Sequence, residues 1–346
     1  MKQRIRYYDL AKGLLMVLVV LHHIHMHGAK ILGDQSVSVF LDYADDYWVM
    51  WFMPAFFMIS GICSNYDKPF KEFIYVKFKG LVIPSVCLGF FFIIVGQLII
   101  GPLYFLHECK RLLLEYIPNG GTLWFLQSLF VCATIYYLLL RLVNSAKWIF
   151  CITIVLAFLG FLLGTMNFPN PWYFIQSLIY LPLLSIGTYL KRNDIHVRYC
   201  IPVFVSLLII VYAIHILGFK VPYVSYALNY TLYSAIPLLI ISIIGSVSFL
   251  GICKWINENS LLEFIGKNSL IVYAAHICII RILFTCFVKV FSHRGGQNCI
   301  SPLVNSEITI QIAVCYLVVF CLTILVCCAL SKIFNLPYVK ILSGKF

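Results

Sequence analysis

About ten apolar runs, each of roughly 20 residues, follow one another along this chain with short polar breaks between them. Runs of that length match the thickness of a bilayer. Every backbone N–H and C=O must there be satisfied within the segment, and a helix does so. The runs lie at 9–27, 47–64, 81–101, 123–141, 147–165, 172–190, 200–217, 229–251, 268–291 and 308–331. Of the 346 residues, 62% are hydrophobic and only 11% charged, and the mean hydropathy is +0.96. A soluble domain carries about a quarter charged residues. The sequence therefore predicts an all-α, polytopic membrane helix bundle of about ten transmembrane helices, with one integral-membrane domain over 1–346.

Charge sets the orientation. Lys and Arg stay on the cytoplasmic side of a membrane protein. With the amino terminus inside, 17 of the 25 basic residues fall in cytoplasmic segments and six in external ones, while Lys12 and Arg281 lie within spans. The first external loop is acidic instead, with Asp34, Asp42, Asp45 and Asp46. An even number of spans then places both termini in the cytoplasm. This asymmetry explains the net charge of +12 without a nucleic-acid partner, since the basic residues are dispersed between apolar runs. Most of the 14 cysteines sit inside those runs and show no CxxC or Cys/His ligand spacing, so neither a metal site nor a structural disulfide is expected. Cys109 and Cys299 fall in external loops. The basic start and the apolar run from Leu14 look like a signal peptide, but histidines follow in place of small residues, so a retained first helix is expected.

That helix carries the chemistry. Lys12 and His23 are 11 residues apart, so they share one helix face, about 16 Å apart along it. Asp9 is placed to pair with Lys12 at i,i+3, whereas His22 points about 100° away from His23. Ionisable groups are costly at membrane depth and face the protein interior or a wet cavity. A cationic group near the cytosolic mouth with an imidazole deeper on the same face suits one extended ligand, anionic end below and reactive end above. The other reading has Lys12 snorkelling to the cytosol and the histidines marking the outer interface.

Five fragments, in order, resemble the acyltransferase-3 family of membrane-bound acyltransferases, especially its fucose-O-acetylase-like branch. Asp9-x-x-Lys12-Gly13 through His23 resembles the family's first helix, a basic residue followed after ten positions by histidine. Met53-Pro54 through Ser60-Gly61 is similar to its second-span segment. Lys77-Phe78-Lys79-Gly80 up to Pro84 looks like its basic run before a proline. Leu123-Trp124-Phe125-Leu126 resembles the start of its fourth span, and Gly266-Lys267-Asn268-Ser269-Leu270 through Tyr273 and His276 resembles its late signature. The chain departs from the family in carrying Lys12 where Arg is usual and Gly80 where a further basic residue often stands. Lysine offers a point charge in place of a planar fork.

The resemblance implies acyl transfer, usually of acetyl, from cytosolic acyl-CoA to a hydroxyl of an envelope polysaccharide, lipid-linked saccharide or other exported glycan, in a bacterial cytoplasmic membrane. It implies His23 and His276 as catalytic residues, and Lys12, Lys77, Lys79 and Trp124 as residues of the acyl-CoA path. A neutral imidazole suits the work, because a hydroxyl is a poor nucleophile until a base takes its proton. His276 is read as a second polar wall of the cavity, polarising the acyl carbonyl or orienting His23, or else as a buried histidine bonded to a neighbouring helix. Tyr273 lies one turn before it, on the substrate side. Asp45 and Asp46 are read as acceptor-sugar ligands or as two solvated loop carboxylates, and Trp124 as part of the donor path or as an interfacial anchor. His215 and Arg281 are expected to be structural. Ser60-Gly61 is expected to allow close helix approach and not to supply a nucleophile. The competing function is a transporter or flippase for a lipid-linked sugar; against it stands the lack of an inverted repeat or paired broken helices. A non-catalytic scaffold leaves the intramembrane histidines unexplained.

Overall fold

A computed structural model of the protein describes residues 5–32, 45–100, 123–191, 200–219, 222–224, 228–294, 306–336 and 339. Cys109, Cys299, Asp34, Asp42 and the turns at 119–121 and 295–296 lie outside the described residues. The helices are α1 (Arg6–Leu32), α2 (Phe52–Cys63), α3 (Phe70–Lys77), α4 (Ile83–Ile100), α5 (Trp124–Leu142), α6 (Ala146–Thr165), α7 (Phe174–Ile179), α8 (Leu181–Leu190), α9 (Cys200–Ile216), α10 (Ala235–Ile256), α11 (Ser260–Lys267), α12 (Ser269–Arg294) and α13 (Ser306–Phe334). A π-helical turn, Phe78–Val82, joins α3 to α4. Among the described residues the only strands, Tyr223–Val224 and Leu228–Asn229, pair antiparallel as a small hairpin.

An all-α membrane bundle is what the apolar runs predict. Among the described residues, eight helices are long and apolar enough to span a bilayer, and a bent pair makes a ninth. Each of the ten runs corresponds to a helical segment, but two fall short of a straight span. The run at 172–190 is broken into α7 and α8, bent by 57°. Pro182 in the first turn of α8 lacks the N–H that a continuous helix would direct back to Leu178, so the ladder restarts at Tyr180. The run at 200–217 forms a helix of only 17 residues.

Helix α1 runs through the middle, packed against α2, α10, α11, α12 and α13. Its Leu10, Leu15, Val19, Val20 and Ile24 are buried. On α9 and α13, by contrast, Ile209, Tyr212, Leu317 and Leu325 are exposed. In a bilayer this outward apolar surface faces acyl chains, which require no polar cover. Two crossings are closed by glycine. At the first, Gly13 and Gly266 bring α1 and α11 into contact; a Cβ on either would strike the carbonyl of Leu262 or of Asp9. At the second, Gly61 of α2 and Gly187 of α8 meet the carbonyls of Leu184 and Met58. The Ser60-Gly61 pair thus does what small residues do between membrane helices.

Helix α11 is also tied to α1 by charge. The Arg6 guanidinium donates to both oxygens of the buried Glu263 at 3.1 and 3.2 Å and meets Glu258 at 2.8 Å. Arg6 holds the Glu263 carboxyl below its usual range, with Lys267 adding to the effect. The folded protein therefore keeps this carboxylate charged to lower pH than the unfolded chain does. The stabilisation is complete above the unfolded pKa and is lost as pH falls through the folded one. Thermal unfolding recorded at stepped acidic pH should show this loss in the wild type and a flatter profile in Glu263→Gln. In a second test, Gly266→Ala should lower stability by about 1–3 kcal/mol through overpacking at the α1–α11 crossing, seen as a lower melting temperature of the purified protein.

Candidate active site

The site is built where α1 passes α12. The rings of His23 and His276 lie with centroids 4.9 Å apart. His23 is also 5.0 Å from His22 and 6.0 Å from His27. The two central imidazoles come from opposite ends of the sequence, and their meeting follows from the α11 crossing. Helix α11 packs on α1 at Asp9–Gly13, and α12, which follows it from Ser269 and also packs on α1, carries His276 in its second turn.

The hydrogen bonds of His276 fix its tautomer. Its Nδ1 lies 3.1 Å from the carbonyl of Val272. A carbonyl only accepts, so Nδ1 carries the proton and neutral Nε2 presents a lone pair. That Nε2 is buried and has no hydrogen-bond partner among the described residues, and neither has Nδ1 of His23. Two open ring nitrogens on facing imidazoles are unusual, since buried polar atoms are nearly always bonded. Tyr273 closes one side, its ring 5.8 Å from His276. Its hydroxyl accepts from the N–H of Phe125 at 3.4 Å. In this tautomer His276 accepts a hydrogen bond and does not donate one to an acyl carbonyl, which favours orientation of His23 over carbonyl polarisation.

Asp45 and Asp46 are not solvated loop carboxylates. Asp45 accepts from Nδ1 of His22 at 2.7 and 2.9 Å and from the Trp48 indole at 2.8 Å. Asp46 pairs with His215. Both aspartates begin a helical segment at 45–63, in place of the loop that hydropathy suggests. His22 does turn away from the shared face, but it stays beside His23. Trp124 is buried, packed on Phe125 and Tyr173. It therefore belongs to the inside of the bundle and not to an interfacial belt.

The cationic end lies about 16 Å lower on α1. Lys12 pairs with the buried Asp9 at 2.7 Å, as the i,i+3 spacing predicts. Lys77 donates to the hydroxyl of Ser64 at 2.6 Å. Lys79 does not share that direction; its ammonium lies 5.4 Å from the centre of the Tyr75 ring. The reason is geometric: two positions apart on a helix, side chains point to nearly opposite sides. The ammonium that reaches Ser64 with Lys77 is Lys191, at the end of α8. Among the described residues, no group of three or more His, Cys, Asp or Glu side chains is arranged to hold a metal ion.

A family model for an acyltransferase domain matches residues 5–332. The chain belongs to the acyltransferase-3 family. It is a membrane acyltransferase, and transport of a lipid-linked sugar is not favoured. No curated protein and no solved structure gives a significant match.

Three residues near this site carry no motif. His27 is legible as the i+4 neighbour of His23. Asp45 as the partner of His22 and Lys191 as the partner of Ser64 arise only when distant segments meet. Removing Asp45 would leave the Trp48 and His22 donors without their acceptor. Asp45→Ala should therefore destabilise the fold by about 1–3 kcal/mol, seen as a lower melting temperature of the purified variant.

Proposed function

We propose that this acyltransferase moves an acyl group, acetyl in the first instance, from acyl-CoA to a hydroxyl of an envelope or exported glycan. The observation that carries the reading is the pair of half-buried His23, above Lys12 on the same helix, and buried His276, 4.9 Å apart with a buried open ring nitrogen on each. The acceptor hydroxyl attacks the thioester carbonyl while an imidazole nitrogen of His23 takes its proton. The tetrahedral intermediate then expels the CoA thiolate, which receives that proton. The products are the ester and free CoA. His276 is a positioning residue. Its Nε2 lone pair favours the His23 tautomer whose N–H points toward it, leaving the opposite nitrogen free as the base.

The donor enters from the cytoplasmic end, with its phosphates near Lys12 and Lys77 and its pantetheine arm along α1. The acceptor sugar meets the acyl group near Tyr273 and the Asp45–Asp46 end, which favours a glycan presented from outside. The ordered motifs, with Asp9-x-x-Lys12-Gly13 at their head, support this substrate class.

Purified protein supplied with acetyl-CoA and surface glycan should yield an O-acetylated sugar by mass spectrometry. His23→Ala should lower turnover by roughly 10²–10⁴-fold at an unchanged melting temperature. Undiminished acetyl transfer by that variant would overturn the assignment.

A further inference from the structure

His22 stands beside the His23–His276 pair without belonging to it. Consecutive helix residues point about 100° apart, yet the rings of His22 and His23 lie edge to face with centroids 5.0 Å apart. Nδ1 of His22 is 2.7 and 2.9 Å from the two oxygens of Asp45, and the Trp48 indole holds the same carboxylate at 2.8 Å. A carboxylate only accepts, so Nδ1 carries the proton and Nε2 is turned away from Asp45. That Nε2 has no hydrogen-bond partner among the described residues, and the side chain is 18% accessible. Nε2 of half-buried His23, the base nitrogen of the transfer, is likewise open. Two imidazole edges therefore stand accessible side by side, and a carboxylate orients the second.

The His22–Asp45 pair ties the helical segment at 45–63 to α1, but that tie occupies only the Nδ1 edge. The Nε2 edge is spare. A hydroxyl bonds it in either charge state, donating to a neutral nitrogen or accepting from a protonated one. Hydrogen bonds of about 2.7–3.0 Å from each ring, added to the short gap between hydroxyls on adjacent carbons, bridge rings with centroids 5.0 Å apart. A lone hydroxyl answers only one of the two rings.

We infer that His22, oriented by Asp45, binds the hydroxyl next to the one that is acylated, so that the acceptor is a sugar presenting a vicinal diol. This assignment rests on the glycan-acceptor reading and narrows it. One hydroxyl of the diol gives its proton to His23 and becomes the ester; its neighbour stays free on His22. His22 is then an acceptor-binding residue, and Asp45 positions it in place of touching the sugar. A hydroxyl flanked only by substituted carbons is a poor acceptor, because it leaves the His22 edge unanswered.

The test uses the full-length protein in lipid nanodiscs with acetyl-CoA and surface glycan. NMR of the product, kept mildly acidic so that the ester does not migrate, should place acetyl on a carbon whose neighbour bears a free hydroxyl. Glycan first oxidised with periodate and reduced with borohydride, which cleaves vicinal diols and spares isolated hydroxyls, should no longer be acetylated. His22→Asn keeps an N–H for Asp45 near the position of Nδ1 but has no second nitrogen edge. It should raise KM for the glycan about tenfold and leave KM for acetyl-CoA within about twofold, at an unchanged melting temperature. An ester on an isolated hydroxyl overturns the assignment whether or not the variant folds, and leaves the acyl-transfer reading standing. So does undiminished acetylation of the periodate-treated glycan, or a folded His22→Asn protein whose glycan KM equals that of the wild type; the His22–Asp45 pair is then a helix tie only. Wild-type protein that esterifies no sugar overturns the glycan reading itself, and this assignment with it.

Discussion

An ionisable side chain inside an apolar bundle needs another polar group to answer it, and helix α1 is organised around that requirement. Arg6 is met by Glu258 and Glu263, Lys12 by Asp9, and His22 by Asp45. At His23 the pattern changes. Its neighbour is a second imidazole, and each ring keeps a nitrogen without a bond. The ion pairs are satisfied locally, whereas the two imidazoles that face each other leave Nδ1 of His23 and Nε2 of His276 open, and the proposed catalytic role rests on that difference.

The bundle makes that placement possible through packing rather than polar bonding. Glycine at two crossings lets backbones touch where side chains would hold them apart. The α1–α11 contact matters most, because it sets the height at which α12 begins and so decides which α12 residue faces His23. A buried carboxylate, Glu263, locks the same contact through Arg6. Packing and charge thus meet on the eight residues of α11.

Much of this was legible in the sequence. The apolar runs mark the helices because bilayer thickness imposes one length on all of them. The Asp9–Lys12 pair and the shared face of Lys12 and His23 follow from helical periodicity alone. The interhelical facts are harder to read. Pro182 signals a break, but nothing local shows that α8 carries Lys191 back to Ser64. Asp45 and Asp46 look like loop residues because their flanks are polar, and only the tertiary fold brings histidines to them. Grouping Lys79 with Lys77 follows the composition of the basic run, whereas the two-residue spacing already sends their side chains apart.

Each histidine is set by a count along its own helix. On α1, 11 residues, about 16 Å, separate Lys12 from His23; on α12, seven residues, about 10 Å, lead from Ser269 to His276. Such counts are quantised. A single inserted or deleted residue on either would shift its histidine by only about 1.5 Å but rotate it by about 100°, out of the cleft altogether. The spacing between the basic residue and the histidine is thus fixed less by distance than by direction, and the tolerance of this site to length change along α1 and α12 is essentially zero.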